Sequence, residues 1–187
     1  YNRLSRWYDW IAGSEARYRQ IGVQALALQP GERMLEIGFG TGNCLLEFAS
    51  QVGPGGFACG IDLSDGMAAV AINRLSVAGV AEQVAITVGD AVYAPFQDNA
   101  FNAIFMSFTL ELFDTPEIPR VLQQCRRILK PSGRLGVVTL AKTEEPNFAE
   151  RTYEWFHAKM PVSVDCRPIR AQAALQEAGF EIAPIIT

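Results

Sequence analysis

Histidine occurs once, at His157, and the cysteines Cys44, Cys59, Cys125 and Cys166 form no Cys-x-x-Cys pair. A structural zinc site needs four nitrogen or sulfur ligands at short spacings, so no metal is predicted. Cys44, Cys59 and Cys125 lie in runs that read as helix or strand interior and are expected to be reduced core residues. Cations are also scarce: 16 Lys and Arg stand against 20 Asp and Glu, a formal charge of -4. That balance argues against nucleic acid as a partner, because binding a phosphate backbone depends on clustered positive charge. The basic cluster Arg126, Arg127 and Lys130 falls at the end of a predicted helix, where cations complement the helix dipole. Long apolar runs are missing as well. The stretch from Phe101 to Phe113 is broken by Asn102, Ser107, Thr109 and Glu111, so neither a membrane span nor a signal sequence is predicted, and a cytoplasmic location is expected. Tyr1 stands where an initiator methionine would, which leaves a preceding leader open.

What is present is enough apolar material, 49% of 187 residues, for one buried core. From Arg33 onward short apolar runs alternate with helical patterns, the mark of βαβ units around a parallel sheet. The candidate strands are Arg33-Ile37, Phe57-Asp62, Val84-Val88, Phe101-Ser107, Arg134-Leu140 and Phe180-Ile185. A helix over Glu117-Leu129 places Ile118, Val121, Leu122, Cys125, Ile128 and Leu129 on one face; Pro116 opens it and Lys130-Pro131-Ser132-Gly133 closes it. A second, from about Ser64 to Ala78, carries Met67, Ala71, Leu75 and Ala78 along one stripe, with Gly79 as its stop. Two aromatic segments stand outside the alternation. One is the first thirty residues, with Trp7, Tyr8, Trp10 and Tyr18. The other is Lys142-Arg167, with Tyr153, Trp155, Phe156, His157 and Met160; a connection of that length in a compact domain is usually functional.

The run Met34-Leu35-Glu36-Ile37-Gly38-Phe39-Gly40-Thr41-Gly42 is a buried strand entering a glycine loop, with a helix opening near Asn43. Such a loop lets backbone approach a ligand closely, and the helix beyond it presents free N–H groups. The dinucleotide fingerprint spaces its glycines G-x-G-x-x-G and would need glycine where Asn43 stands. Glu36, two residues before the first glycine, suits a ligand carrying an ammonium and a sulfonium better than a pyrophosphate. Asp62 ends the second strand at the carboxyl edge of the sheet, where open α/β folds bind ligands, and can accept hydrogen bonds from both hydroxyls of a ribose. The alternative is that Asp62 only caps the following helix. Gly89-Asp90-Ala91 places a second acid at the same edge, where its side chain and the next backbone N–H can read an adenine.

In order along the chain, Glu36 to Gly42, Asp62, Gly89-Asp90-Ala91, Pro95 to Ala103 and Arg127 to Arg134 resemble the class I S-adenosylmethionine-dependent methyltransferases. Within them the sequence is most similar to the ubiquinone/menaquinone C-methyltransferase-like group, over Arg33 to Leu140. The resemblance implies a doubly wound, mostly parallel Rossmann-like α/β sheet that lacks its last antiparallel strand within this chain. It implies S-adenosyl-L-methionine as cofactor and S-adenosyl-L-homocysteine as product. Glu36 and the Gly38, Phe39, Gly40 and Gly42 loop would hold the methionine end, Asp62 the ribose, and Leu63 and Met67 the adenine face. Asp90 and Ala91 would read the adenine edge, and Ser107 would face the methionine amino group. Met67 has a competing reading as helix core. The organisation expected is a single domain: residues 1–30 as lid helices, 31–140 as cofactor-binding core, 141–168 as an aromatic insertion and 169–187 as a last helix and strand.

Methyl transfer asks the protein mainly for proximity and alignment; a base helps where a phenol or ring carbon must lose a proton. Candidates are His157, Tyr153, Glu111 and Asp114. The aromatic segments suit a small apolar or aromatic acceptor, quinone-like in character, with no nucleic acid partner. Two other functions compete. A nicotinamide oxidoreductase is disfavoured by the glycine spacing and by the lack of a Tyr-x-x-x-Lys pair, whereas a protein that binds the cofactor without catalysis stays open. A serine hydrolase would need Gly-x-Ser-x-Gly, which is absent.

Overall fold

The computed structural model describes residues 15–140 and 168–186. The predicted roles of Trp7, Trp10, Tyr153, Trp155 and His157 lie outside those residues. Five parallel strands form one sheet in the order β3-β2-β1-β4-β5: β1 Arg33–Ile37, β2 Phe57–Asp62, β3 Val84–Val88, β4 Phe101–Ser107 and β5 Leu129–Val138. The helices are α1 (residues 15–25), α2 Asn43–Val52, α3 Asp65–Val77, α4 Ile118–Ile128 and α5 Ala171–Glu177.

The period-2 alternation of the strands divides the apolar side chains between two faces. Leu35, Ile37, Cys59, Ile61, Ile104 and Met106 pack with α4 and α5 in one cluster. Met34, Ala58, Ala103 and Phe105 pack with α1, α2 and α3 in the other. All six residues of the predicted α4 stripe are buried. In α3 the buried positions are Ala68, Ala71 and Leu75, so Met67 and Ala78 leave the predicted stripe. Met67 stays 43% exposed because Ala68, one residue on, takes the core-facing position. Gly79 does stop α3: its φ is +73°, and Gly79 N–H and Val80 N–H return to Ser76 O and Leu75 O, a Schellman closure.

Two strand expectations need correction. The fifth strand starts at Leu129, directly after α4, instead of at Arg134. It pairs Leu129 with Phe101, then shifts register so that Arg134 meets Ala103, and Lys130–Gly133 bulge out through Ser132 at φ +65°. Lys130 Nζ donates to Asn102 Oδ1 across the bulge at 2.9 Å. The segment predicted as strand Phe180-Ile185 carries no strand; residues 180–186 are irregular and mostly exposed. Pro184 removes a ladder donor there, and Glu181 interrupts the apolar run. Among the described residues no further strand pairs with β5; just beyond its end, Ile169 N–H donates to Leu140 O at 3.1 Å.

The basic cluster finds intramolecular acceptors. Arg127 donates to Ala94 O at 2.9 Å, Phe96 O at 2.7 Å and Asp98 at 2.7 Å, and Arg126 to Ala178 O at 2.9 Å.

Candidate functional site

β1, β2 and β4 end side by side at the carboxyl edge, and the glycine loop leaves β1 there. Gly38, Gly40 and Gly42 have φ of +72°, +51° and +78°, a region that non-glycine residues rarely occupy. Two of them also permit close approach. A Cβ on Gly38 would lie 2.3 Å from Thr109 Cγ2, and one on Gly42 2.8 Å from Ala71 Cβ, whereas at Gly40 it would meet nothing within 4 Å. Gly40 is therefore the point where the loop's backbone faces open space. The loop is held from below: Gly38 N–H donates to Ile61 O at 2.8 Å and Gly42 N–H to Phe39 O at 2.9 Å. The Phe39 side chain turns inward, with 4% exposed, over Gly60, where a Cβ would sit 2.6 Å from Phe39 Cδ1. Any contact of Phe39 with a ligand is left to its backbone.

Asp62 does more than cap a helix. Its Oδ2 accepts from Gly40 N–H at 2.8 Å and its Oδ1 from Ser64 N–H at 2.9 Å, while Ser64 itself caps α3 by accepting from Met67 N–H at 3.2 Å. An ionised carboxylate offers about four lone-pair positions, so acceptor capacity remains on both oxygens. Beside it, Leu63 is 74% exposed, and Met67 on the first turn of α3 is exposed as well. Asp90 opens the turn after β3 and accepts from Val92 N–H at 2.9 Å through Oδ1, while the Ala91 side chain is buried.

Glu36 is 3% exposed and shares the α1–α2–α3 face with Met34, two residues before it. Burial pushes its carboxyl up from 4.5 to about 8; hydrogen bonds from the Cys44 thiol and Leu45 N–H and the charge of Arg19 oppose that rise. Ser107 lies on the same face of the neighbouring strand, since Phe105 pairs with Glu36 and Ser107 follows two residues on. Among buried side-chain polar atoms of the described residues, Glu36 Oε2 and Ser107 Oγ are the two without a hydrogen-bond partner. Buried polar atoms are nearly always satisfied, so two orphans at one strand edge fit a ligand that donates there, as an ammonium does. Burial also raises the Cys44, Cys59 and Cys125 thiols, the last two to about 11 and about 12, which makes them inert as nucleophiles.

Glu111 is 1% exposed, and both its oxygens are engaged: Thr139 Oγ1 donates to Oε2 at 2.9 Å and Leu140 N–H to Oε1 at 3.2 Å. Burial raises its pKa. It ties the turn after β4 to the end of β5. Asp114 accepts, through its backbone carbonyl, from Glu117 N–H at 2.8 Å. The structure adds residues that the sequence did not single out. Thr109 packs on Gly38 and donates to Ser107 O at 3.0 Å; its polar place in an apolar run was the available signal. Arg74 of α3 donates to Asn43 Oδ1, the residue that replaces the dinucleotide glycine.

Residues 34–133 match the family described as methyltransferase domain. The chain is 33% identical over 156 residues to the ubiquinone/menaquinone biosynthesis C-methyltransferase UbiE of Ectopseudomonas mendocina (strain ymp), covering 83% of this chain and 60% of that protein. It spans about 60% of the length of the curated relatives it matches. A putative methyltransferase from Bacillus halodurans C-125 superposes with TM-score 0.74 at 25% identity, over 92% of this chain and 71% of that one. The 4+2 cyclase SpnF superposes with TM-score 0.71 at 28% identity, over 90% and 58%. With more than half of its residues matched on a sheet of order 3-2-1-4-5, the chain belongs to the methyltransferase-domain family, among the class I S-adenosylmethionine-dependent methyltransferases, and is related to the ubiquinone/menaquinone C-methyltransferase group.

Proposed function

We infer that this domain transfers a methyl group from S-adenosylmethionine to a small apolar or aromatic acceptor of quinone-like character. The observation that carries the reading is the pair of orphaned polar atoms, Glu36 Oε2 and Ser107 Oγ, beside a glycine loop whose Gly40 opens on free space. When bound, the cofactor supplies an electrophilic methyl on sulfur. The chain's residues do the rest. Glu36 and Ser107 receive the ammonium, the Gly38–Gly42 backbone admits the methionine chain, and Asp62 uses its remaining lone pairs for the ribose hydroxyls. Leu63 and Met67 cover the adenine face, and Asp90 with the Ala91 backbone reads its edge.

Methylation at a ring carbon would require that carbon's proton to leave to a base. Glu111 serves this reading as a positioning residue, because Thr139 and Leu140 already occupy both its oxygens; Tyr153 and His157 are the candidates for contact with the acceptor. The name of the Ectopseudomonas relative supports a quinone-like substrate. The unpaired, buried Cys44, Cys59 and Cys125 support a cytoplasmic location, and among the described residues no helix is long and apolar enough to cross a membrane. A second reading, cofactor binding without methyl transfer, is favoured by the likeness to a cyclase. Incubation with methyl-labelled S-adenosylmethionine and a panel of reduced quinones distinguishes the two. Labelled product with equimolar S-adenosylhomocysteine is expected; cofactor binding with no labelled product from any acceptor contradicts methyl transfer.

A further inference from the structure

Between the short turn Ala91–Tyr93 and β4 the chain runs irregularly from residue 94 to residue 100, and carbonyls in such a segment need donors that no strand ladder supplies. One residue of α4 supplies them. Arg127 Nη2 donates to Ala94 O at 2.9 Å and to Gln124 Oε1 at 2.8 Å, Nη1 to Phe96 O and Asp98 Oδ1, each at 2.7 Å, and Nε to Gln124 Oε1 at 3.0 Å. A guanidinium has five N–H donors, and here every one is engaged. The backbone of the same residue closes the far end of the segment, where Arg127 O accepts from Asn99 N–H at 3.0 Å. The Asp98 side chain is 68% exposed, so water screens that ion pair and the two carbonyl contacts carry the hold.

Ala94 directly follows the turn that Asp90 opens. Ala91, Val92 and Ala94 are buried in the cluster to which Ile118, Val121, Leu122 and Cys125 of α4 belong. Two helical turns before Arg127, the Arg120 guanidinium lies over the Tyr93 ring at 5.9 Å. α4 therefore grips the turn at Tyr93 and the segment behind it at Ala94 and Phe96. Asp90 gives Oδ1 to Val92 N–H, which ties the aim of its other oxygen to the backbone of the turn. We propose that Arg127 is a positioning residue for base recognition: its hold on Ala94 and Phe96 sets the Asp90–Tyr93 turn so that Asp90 and the Ala91 backbone accept an adenine and refuse a base of reversed polarity. The assignment rests on the cofactor reading given above and adds to it a residue that acts from behind the turn. Adenine presents an amine donor beside the N1 acceptor, which suits a carboxylate beside an N–H; hypoxanthine presents an oxygen beside N1–H and opposes both. Lysine is no equivalent, because a point charge on a flexible stem has no fork to span two carbonyls.

Calorimetric titration with S-adenosylhomocysteine and S-inosylhomocysteine, which differ only at the base, tests this. Wild type should favour S-adenosylhomocysteine by about 10- to 100-fold. In R127M that preference should shrink to within about threefold, with the loss falling on S-adenosylhomocysteine. R127K should fall between them and serves in its place if R127M does not fold; full preference in R127K then overturns the proposal. Tm should drop in R127M whether or not the turn reads the base, so the ratio of the two affinities decides. An R127M protein that keeps the full preference, or that loses affinity for both ligands equally, overturns the proposal and makes Arg127 a brace of the fold alone. A wild-type protein that binds neither ligand overturns the cofactor reading and Arg127's role with it, whereas one that binds both equally leaves the cofactor reading in place and removes Arg127's role.

Discussion

Gly40 donates its backbone N–H to Asp62 Oδ2 at 2.8 Å, so the acid at the end of β2 shapes the glycine loop in addition to its proposed ribose contact. Removing it loosens the loop and deletes the acceptors for the ribose. Asp62→Ala should weaken S-adenosylhomocysteine binding by about 10- to 100-fold, the equivalent of about 1.5–3 kcal/mol for charge-assisted hydrogen bonds. Ser64 still caps α3, so far-ultraviolet circular dichroism should be unchanged. Full affinity in a folded D62A protein would contradict the ribose assignment.

Two of the loop glycines should respond differently to alanine. At Gly40 the methyl enters open space, so the cost is the positive φ alone, about 1 kcal/mol; the protein should fold and lose cofactor affinity. At Gly38 the methyl collides with Thr109, and G38A should lose a further ~1–3 kcal/mol through overpacking. Thermal unfolding measured beside ligand titration separates the two, and equal destabilisation by both would contradict the loop geometry.

Glu36 predicts a pH dependence of two quantities. Its pKa in the folded protein, about 8 against an ordinary 4.5, means that the native state holds a proton the unfolded chain has released. Its contribution to stability is therefore full below about pH 4.5 and is lost as pH rises through 8. Binding runs the opposite way, because a cationic ligand favours the carboxylate, and affinity should rise toward pH 8 with release of a proton. Glu36→Gln should flatten both profiles between pH 6 and 9, on the order of one proton of linkage. Persistence of the same dependences in E36Q would assign them to another group.

How far these properties were legible in the sequence differs by element. Strands β1 to β4 were readable because each is a short apolar run bounded by turn residues, and α4 because its stripe has a single period. Met67 was misplaced on α3 because several small and apolar residues in succession permit more than one stripe; packing against Gly42 selects Ala71, and Ala68 is buried on the same side of the helix. The start of β5 was missed because Lys130–Gly133 reads as a helix stop, and nothing local announces that Leu129 already pairs with Phe101. The acids Glu36, Asp62 and Asp90 could be found from their places after strands. The contacts of Arg74 and Arg127 could not, since their partners are distant in sequence.

Glu111 should behave as a strut. Glu111→Gln weakens the contacts to Thr139 and Leu140, and about 1–3 kcal/mol of stability should be lost, a fall in Tm of roughly 2–12 °C for a chain of this size. Affinity for S-adenosylhomocysteine should stay within about twofold. An E111Q protein with unchanged Tm and abolished turnover would instead give Glu111 the role of base.

Binding of the cofactor at the carboxyl edge of this sheet, through its amino acid and its ribose, is decided by calorimetric titration of the wild-type protein with S-adenosylhomocysteine, with NADH as the comparison. A single saturable site for S-adenosylhomocysteine and no heat from NADH are expected. Binding of NADH with none of S-adenosylhomocysteine would contradict this assignment.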